Sequence, residues 1–367
     1  MYKLTKQSFI VIISFTKLVK GVLKVKYRYA NEREIVYQKM LSIPIVNICE
    51  IKQETKFGFD VSIELDDGYS FEINAYVLRD GYPAQIQKII DIQKNGKIKN
   101  GYKLVVAPFI SEASYLLCEK ENIGYIDLAG NCLIKYYSIY MSVSGNKNSA
   151  VSKRALKSIF EKSSTVSSAI LRTMLADVKR TWKLKELSEK VGCSIGQISK
   201  VKDFLQKNAW IEREPDGIRI VNAEAIMKEW SAVYSNKTDI VYECYSLDTL
   251  ADFEAKLEKM KNECGIEYYL TGFAGGVRYA PVVRYKKTHV YIAQEDIKEA
   301  MKYLECKQVD SGSNIALIVP YDECVLSGSR KVNDSYIASP VQVYLDCMQL
   351  KGRGEELAEA ILTKGIL

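Results

Sequence analysis

Histidine is nearly absent: His289 is the one example among 367 residues. It lies in Thr288-His289-Val290-Tyr291, which reads as a strand, and no second histidine stands at ligand spacing. Zinc sites and imidazole-based triads are therefore poor candidates, and His289 reads as a structural or surface residue. The nine cysteines (Cys49, Cys118, Cys132, Cys193, Cys244, Cys264, Cys306, Cys324, Cys347) are odd in number and include no Cys-x-x-Cys pair. That is the usage of reduced thiols in a cytosol, not of a disulfide framework. No apolar run is long enough to cross a bilayer. The run from Phe9 to Phe15 is short, meets Lys17, Lys20 and Lys24 at once, and lacks the small-residue cleavage site of a secretory signal. A cytoplasmic protein with no membrane partner is expected. Fixed-period repeats and low-complexity tracts are also missing.

What is present is ordinary globular composition, 47% hydrophobic and 26% charged, in a chain long enough for two or three cores. The charge is not evenly spread. Between Val151 and Ala225 there are 15 Lys or Arg against 9 Asp or Glu, an excess of six where the whole chain carries +7. Concentrated positive charge is the electrostatic footprint of a polyanion partner.

That basic segment has the element order of a winged helix-turn-helix. Ile170, Leu171, Met174 and Leu175 share one helical face, and Thr181-Trp182 reads as a short strand. Leu184, Leu187 and Val191 predict a second helix, stopped at Gly192. Ser194 is placed to cap a third helix, in which Ile195, Ile198, Val201 and Leu205 are expected to point inward while Gln197, Ser199, Lys200, Lys202 and Gln206 point out. Glu212-Arg213-Glu214, the turn Pro215-Asp216-Gly217 and Ile218-Arg219-Ile220 predict a hairpin wing. A helix so presented fits the major groove of double-stranded DNA. Ser194, Gln197, Ser199, Lys200, Lys202, Arg213 and Arg219 are the candidate DNA-binding residues. Winged helices also serve as protein-interaction modules, a competing reading of the same pattern.

The overall expectation is an α/β (α+β) multidomain chain. Residues 1–148 form an N-terminal α/β domain, 151–225 the winged helix-turn-helix, and 235–367 a C-terminal α/β domain, with a polar linker from Gly145 to Ser152. In the first domain, Phe57–Leu65 and Tyr69–Val77 predict a hairpin around Asp66-Asp67-Gly68. Helices are expected over Ala84–Ile92 and Ser111–Glu121, and strands over Lys103–Ala107, Gly124–Asp127 and Cys132–Val143. In the last domain, strands are expected over Ile240–Tyr245, Tyr268–Thr271, Val282–Ile292 and Ile315–Val319. Helices are expected over Leu247–Cys264, Glu295–Leu304, Gln342–Leu350 and Gly354–Thr363.

Three stretches could carry chemistry. Asp60, with Glu72-Ile73-Asn74 on the neighbouring strand, is like the acidic residue and Glu-x-Lys pair of restriction-endonuclease-like nucleases. Asn74 stands where the lysine should be, and an acidic hairpin is more often only a solvated face. Asp127 and Asn131 in Tyr125-Ile126-Asp127-Leu128-Ala129-Gly130-Asn131 read either as a polar site or as a turn whose Asp accepts backbone hydrogen bonds, the second being favoured. Thr271-Gly272-Phe273-Ala274-Gly275-Gly276 could be a glycine-rich phosphate loop, although it fits neither common pattern. Glu295-Asp296 reads as a helix start, and Lys351-Gly352-Arg353-Gly354-Glu355-Glu356 as a tight turn before a charged helix N-terminus.

Gly124-Tyr125-Ile126-Asp127-Leu128-Ala129-Gly130-Asn131, taken with Ser339-Pro340-Val341-Gln342-Val343-Tyr344-Leu345-Asp346 and Gly352-Arg353-Gly354-Glu355-Glu356, resembles the AbiEi-type antitoxins of type IV toxin-antitoxin and abortive-infection systems. The resemblance runs from about Leu104 onward. It implies a transcriptional regulator whose winged helix binds promoter DNA, and a further domain that opposes a cognate toxin. The best-known members begin with the winged helix, whereas here it follows an additional α/β domain. No catalytic residue, metal or cofactor is implied. A metal-dependent nuclease delivered to DNA by the winged helix is the competing class. Self-association on DNA is expected because one winged helix offers few base contacts.

Overall fold

In β2 (Gly58–Leu65) the residues Phe59, Val61, Ile63 and Leu65 alternate with Asp60, Ser62 and Glu64, so one face is apolar and the other polar. The strand pairs antiparallel with β3 (Ser70–Val77), where Phe71, Ile73 and Ala75 extend the same apolar face. This is the hairpin that the sequence predicts. The computed structural model describes residues 29–94, 101–146, 159–234 and 240–367. The apolar run Phe9–Phe15 and most of the expected linker lie outside those residues. By contacts the chain divides into two units, 1–149 and 150–367.

The first unit is one seven-stranded mixed sheet in sequential order. Two elements before the hairpin have no counterpart among the sequence expectations: helix α1 (Ala30–Leu41) and strand β1 (Val46–Thr55), an edge strand antiparallel to β2. Neither shows a clean apolar period, and only Val36 and Met40 of α1 are buried. Helix α2 (Pro83–Lys94) carries the chain from β3 to the parallel strand β4 (Tyr102–Ala107), and α3 (Glu112–Lys120) carries it on to β5 (Gly124–Asp127). The stretch Cys132–Val143 is not one strand. It is a hairpin of β6 (Cys132–Tyr136) and β7 (Ile139–Val143), turning at Tyr137 with φ 50°. Helix α1 packs with the Phe59–Ile63 face, while α2 and α3 cover Val105, Tyr125 and Leu133 on the other.

In the second unit, α4 (Thr165–Leu175), α5 (Leu184–Val191) and α6 (Ile195–Lys207) precede the hairpin β8 (Ile211–Glu214) and β9 (Gly217–Ile220), followed by α7 (Ala223–Val233). The strand expected at Thr181-Trp182 is a single bridge, Trp182 to Ile218. Trp182 donates its N–H to Ile218 at 2.8 Å and accepts from it at 3.0 Å. That pairing is why residue 217 is glycine: a Cβ there would stand 2.2 Å from the Trp182 carbonyl oxygen.

The remaining strands form a second mixed sheet around β10 (Ile240–Tyr245), β11 (Tyr269–Thr271), β12 (Thr288–Tyr291) and β14 (Ile315–Val319). It is completed by the short strands β13 (Lys307–Gln308), β15 (Arg330–Val332) and β16 (Ser335–Ile337). One face packs on α8 (Leu250–Cys264) and α10 (Ile297–Tyr303). The other packs on α9 (Gly272–Tyr279), α11 (Pro340–Met348) and α12 (Gly354–Ile361). The apolar cluster on this second face is continuous from Phe160, Leu171 and Leu205 to Tyr291, Tyr344 and Ile361, so the helix–hairpin segment and the sheet share one core.

Two expectations are corrected here. Only Thr288–Tyr291 of the stretch Val282–Ile292 is strand. The glycine-rich segment Thr271–Gly276 is no phosphate loop, because from Gly272 onward it is helix α9. Its glycines serve packing: a Cβ on Gly275 would meet the Leu270 carbonyl oxygen at 2.7 Å, and one on Gly276 would meet Leu357 at 2.5 Å. Gly272, at φ 52°, leaves room for the His289 ring, which would lie 3.2 Å from a Cβ there.

His289 Nδ1 is enclosed and has no hydrogen-bond partner among the described residues. Burial, reinforced by the Lys287 ammonium, lowers its pKa from 6.5 to about 4. The folded protein therefore holds the ring neutral where the unfolded chain would protonate it, and this contribution to stability is lost as pH falls from about 6.5 towards 4. With a single histidine, NMR titration of the imidazole is unambiguous: the midpoint is expected near 4, and His289→Gln should decline less steeply in stability over that range. A midpoint near 6.5 would refute the assignment.

Candidate nucleic-acid interface

Helix α5 ends on Gly192 in the left-handed conformation, φ 72°, and two residues later Ser194 starts α6. The cap is reciprocal. Ser194 Oγ accepts from the Gln197 N–H at 3.3 Å, and the Gln197 side-chain oxygen accepts from the Ser194 N–H at 3.0 Å. Such a capping box supplies partners for two helix-end amides and is worth about 1 kcal/mol. Ile198, Val201 and Leu205 anchor the helix in the core, as expected. Ile195 does not. Half of its surface is exposed.

The seven candidate residues fall into distinct states. Ser194 and Gln197 are tied to each other, so Gln197 is held at the helix start with its oxygen committed to the cap. Ser199 is half-exposed on the outer side. Lys200 is exposed and makes no ion pair among the described residues. Lys202 is half-buried against Asp203 at 3.1 Å. On the hairpin, Arg213 is exposed and reaches Gln206 of α6 at 3.4 Å. Arg219 is held by Glu214 through two hydrogen bonds of 3.1 Å and lies 3.7 Å from Glu212. Lys200 and Arg213 are thus the cations of this set that carry unneutralised charge at the surface. Sequence reasoning could not separate them from Lys202 and Arg219, whose partners are set by side-chain geometry. It also passed over Arg180 and Lys190, which lie 4.2 Å and 5.1 Å from the centre of the Trp182 ring.

The same unit contains a buried polar network built on Gln342. Arg172 of α4 donates to the Gln342 side-chain oxygen at 2.6 Å. The Gln342 amide nitrogen, with two N–H groups to donate, lies within hydrogen-bond distance of three groups, Tyr234 at 2.9 Å, Tyr291 at 2.9 Å and Asp346 at 2.8 Å. Tyr291 and Thr271 donate to the other Asp346 oxygen at 2.8 Å and 2.5 Å. The Arg172 guanidinium also lies 5.1 Å from the Trp230 ring of α7. The Gln and Asp of the segment Ser339–Asp346 therefore join the helix–hairpin segment to the C-terminal sheet. Gly352 (φ 82°) and Gly354 make the tight turn between α11 and α12 that the sequence suggests.

In the N-terminal unit, Asp60, Asn74 and Lys103 lie side by side on β2, β3 and β4, all buried. Asn74 donates to Asp60 at 3.0 Å and accepts from the Lys103 ammonium at 2.6 Å. The lysine missing at Asn74 thus has a counterpart one strand away. Desolvation lowers the Lys103 pKa, and the Asp60 carboxylate opposes that shift. Glu72, by contrast, is paired with Lys52 at 2.8 Å. Among the described residues no group of three or more His, Cys, Asp or Glu is placed to hold a metal ion. Asp127 takes the turn role: one oxygen accepts the Ala129 and Asn131 N–H groups, each at 2.9 Å, and the other accepts the Asn131 side chain at 2.8 Å.

The Gln342 network generates a stability prediction. Gln342→Leu keeps the volume but strips partners from Arg172, Tyr234 and Asp346 in an enclosed space. A loss of about 3 kcal/mol is expected from uncompensated buried polar groups. Urea unfolding monitored by tryptophan fluorescence measures it, and a loss below about 0.5 kcal/mol would show that the network is dispensable.

No curated protein and no solved structure matches the chain. The Gly124–Asn131 segment, whose Asp127 turn is explained by its own hydrogen bonds, lies outside the stretch that a family model recognises. That stretch starts in β9 and takes in the Gln342 helix and the turn after it. Residues 219–367, the C-terminal portion of the chain, match the family described as transcriptional regulator, AbiEi antitoxin, type IV TA system.

Proposed function

We propose that the protein is a DNA-binding transcriptional regulator of the antitoxin type, and that α4, α5, α6 and the β8–β9 hairpin act as a winged helix-turn-helix on double-stranded DNA. The observation that carries this reading is the presentation of α6. It is capped at Ser194, anchored by Ile198, Val201 and Leu205, and turns Ser199 and Lys200 outward beside a hairpin that offers Arg213. The family match over residues 219–367 supports the regulatory role and the expectation of a cognate toxin. The excess of cations between residues 151 and 225 supports a polyanionic partner.

Lys200→Ala combined with Arg213→Ala should weaken binding to duplex DNA of any sequence and flatten the salt dependence by about two phosphate contacts. Arg219→Ala should do less, since its charge is already met by Glu214 and Glu212. Fluorescence anisotropy at several salt concentrations reads both effects. An unaltered salt slope in the folded double variant would remove α6 and the hairpin from the interface.

The position of Lys103 beside Asn74 and Asp60 is the observation that keeps a nuclease reading in view. Metal-dependent hydrolysis needs carboxylates that converge on the ion. Here Asp60 accepts from Asn74, and Glu72 is neutralised by Lys52. No magnesium- or manganese-dependent cleavage of plasmid or linear DNA is expected from the purified protein. Cleavage that disappears in Asp60→Ala would establish the nuclease instead.

A further inference from the structure

We infer that Ile195 is a sequence-reading residue, one that recognises the C5-methyl group of a thymine in the major groove. The inference rests on the duplex-DNA reading above and extends it from backbone attraction to base identity.

Three features of the first turn of α6 lead to it. Ile195 is the first residue of the helix, and half of its surface is exposed, while Ile198, Val201 and Leu205 on the same helix are buried. Next to it, Gly196 has no side chain, and the nearest atom to a Cβ there would be Ser194 Oγ at 3.8 Å, so the backbone can approach another surface closely. One turn on, Ser199 lies on the same side as Ile195, and the row continues through Lys202 and Gln206 to Arg213 on the hairpin. An apolar tip therefore stands at the head of a polar and cationic row, at the end of the helix that reaches base edges in helix-turn-helix proteins.

The major groove offers one methyl group at a base edge, that of thymine, standing among hydrogen-bond donors and acceptors and the smaller C5–H of cytosine. An isoleucine side chain can satisfy no donor or acceptor, and placed against one it would leave that group dehydrated. Gln197, the other long side chain in the first turn, already commits its oxygen to the Ser194 cap. It holds the turn in shape while Ile195 makes the apolar contact.

The test uses duplexes selected from a random-sequence library by the wild-type protein, with each thymine then replaced singly by deoxyuridine, which lacks only the methyl. At one position per bound helix the wild type should lose about fourfold in affinity, the value of one buried methyl-sized group. Ile195→Ala should be indifferent to that replacement, and Ile195→Val should restore part of the discrimination. Circular dichroism confirms that the exposed substitution leaves the fold intact. Equal sensitivity to deoxyuridine in wild type and Ile195→Ala, or no sensitive thymine at all, would overturn the assignment while leaving DNA binding standing. Failure of the wild type to retain any duplex would overturn both.

Discussion

The buried hydrogen bonds of Gln342 are the constraint on which the C-terminal unit depends. A primary amide has two donors and an acceptor, and here each is used: the oxygen faces the Arg172 guanidinium, and the nitrogen faces two phenols and a carboxylate. Arg172 and Asp346 are thus linked through a neutral relay, the Gln342 amide. Tyr234, Tyr291 and Thr271 bring α7, β12 and β11 to the same point. An apolar core can be repacked with modest slippage, whereas a network of directional hydrogen bonds restricts the arrangement more tightly, although Arg172 Nη1 is buried without a partner among the described residues. The orientation of α4, and with it the outward aim of α6, is referred to the C-terminal sheet through that arrangement.

This gives the family resemblance a physical content. The Gln and Asp of Ser339–Asp346 are spaced four apart on α11, so they meet on one face of the helix and bond to each other at 2.8 Å. Their type and spacing suit a buried junction rather than catalysis. The matched stretch begins in the hairpin and includes the side of the junction that receives Arg172, while Arg172 itself lies before it.

Much of the fold was legible because amphipathic periodicity and caps are local. Ser194, Gly192 and the alternation of β2 and β3 each declare their element within a few residues. Elements whose reason lies elsewhere in the fold were not legible: α1 has no apolar stripe, and β15 and β16 are three residues long. Gly272, Gly275 and Gly276 read as a loop because glycine in sequence does not say whether it is needed for a turn or for a close neighbour; Leu270, Leu357 and His289 supply that answer. The candidate interface was legible in its helices and hidden in its charges. Lys200 and Lys202 look alike in sequence, and it is burial and the Asp203 carboxylate that separate them. The exposure of Ile195 escaped the pattern for a similar reason, since a period of 3.6 places it at the margin of the buried stripe.

The row of Asp60, Asn74 and Lys103 also bears on how the first sheet finds its alignment. Every residue of β4 is buried, and apart from Lys103 each is suited to an apolar setting, so hydrophobic patterning says little about which way the strand should face. Sliding β4 by one residue against β3 would turn the lysine towards the apolar layer of Val36, Phe59 and Ile73 and leave Asn74 facing an aliphatic neighbour. An ammonium ion without a partner there is far costlier than a misplaced valine. In a strand that is greasy on both sides, one charge acts as the registration mark.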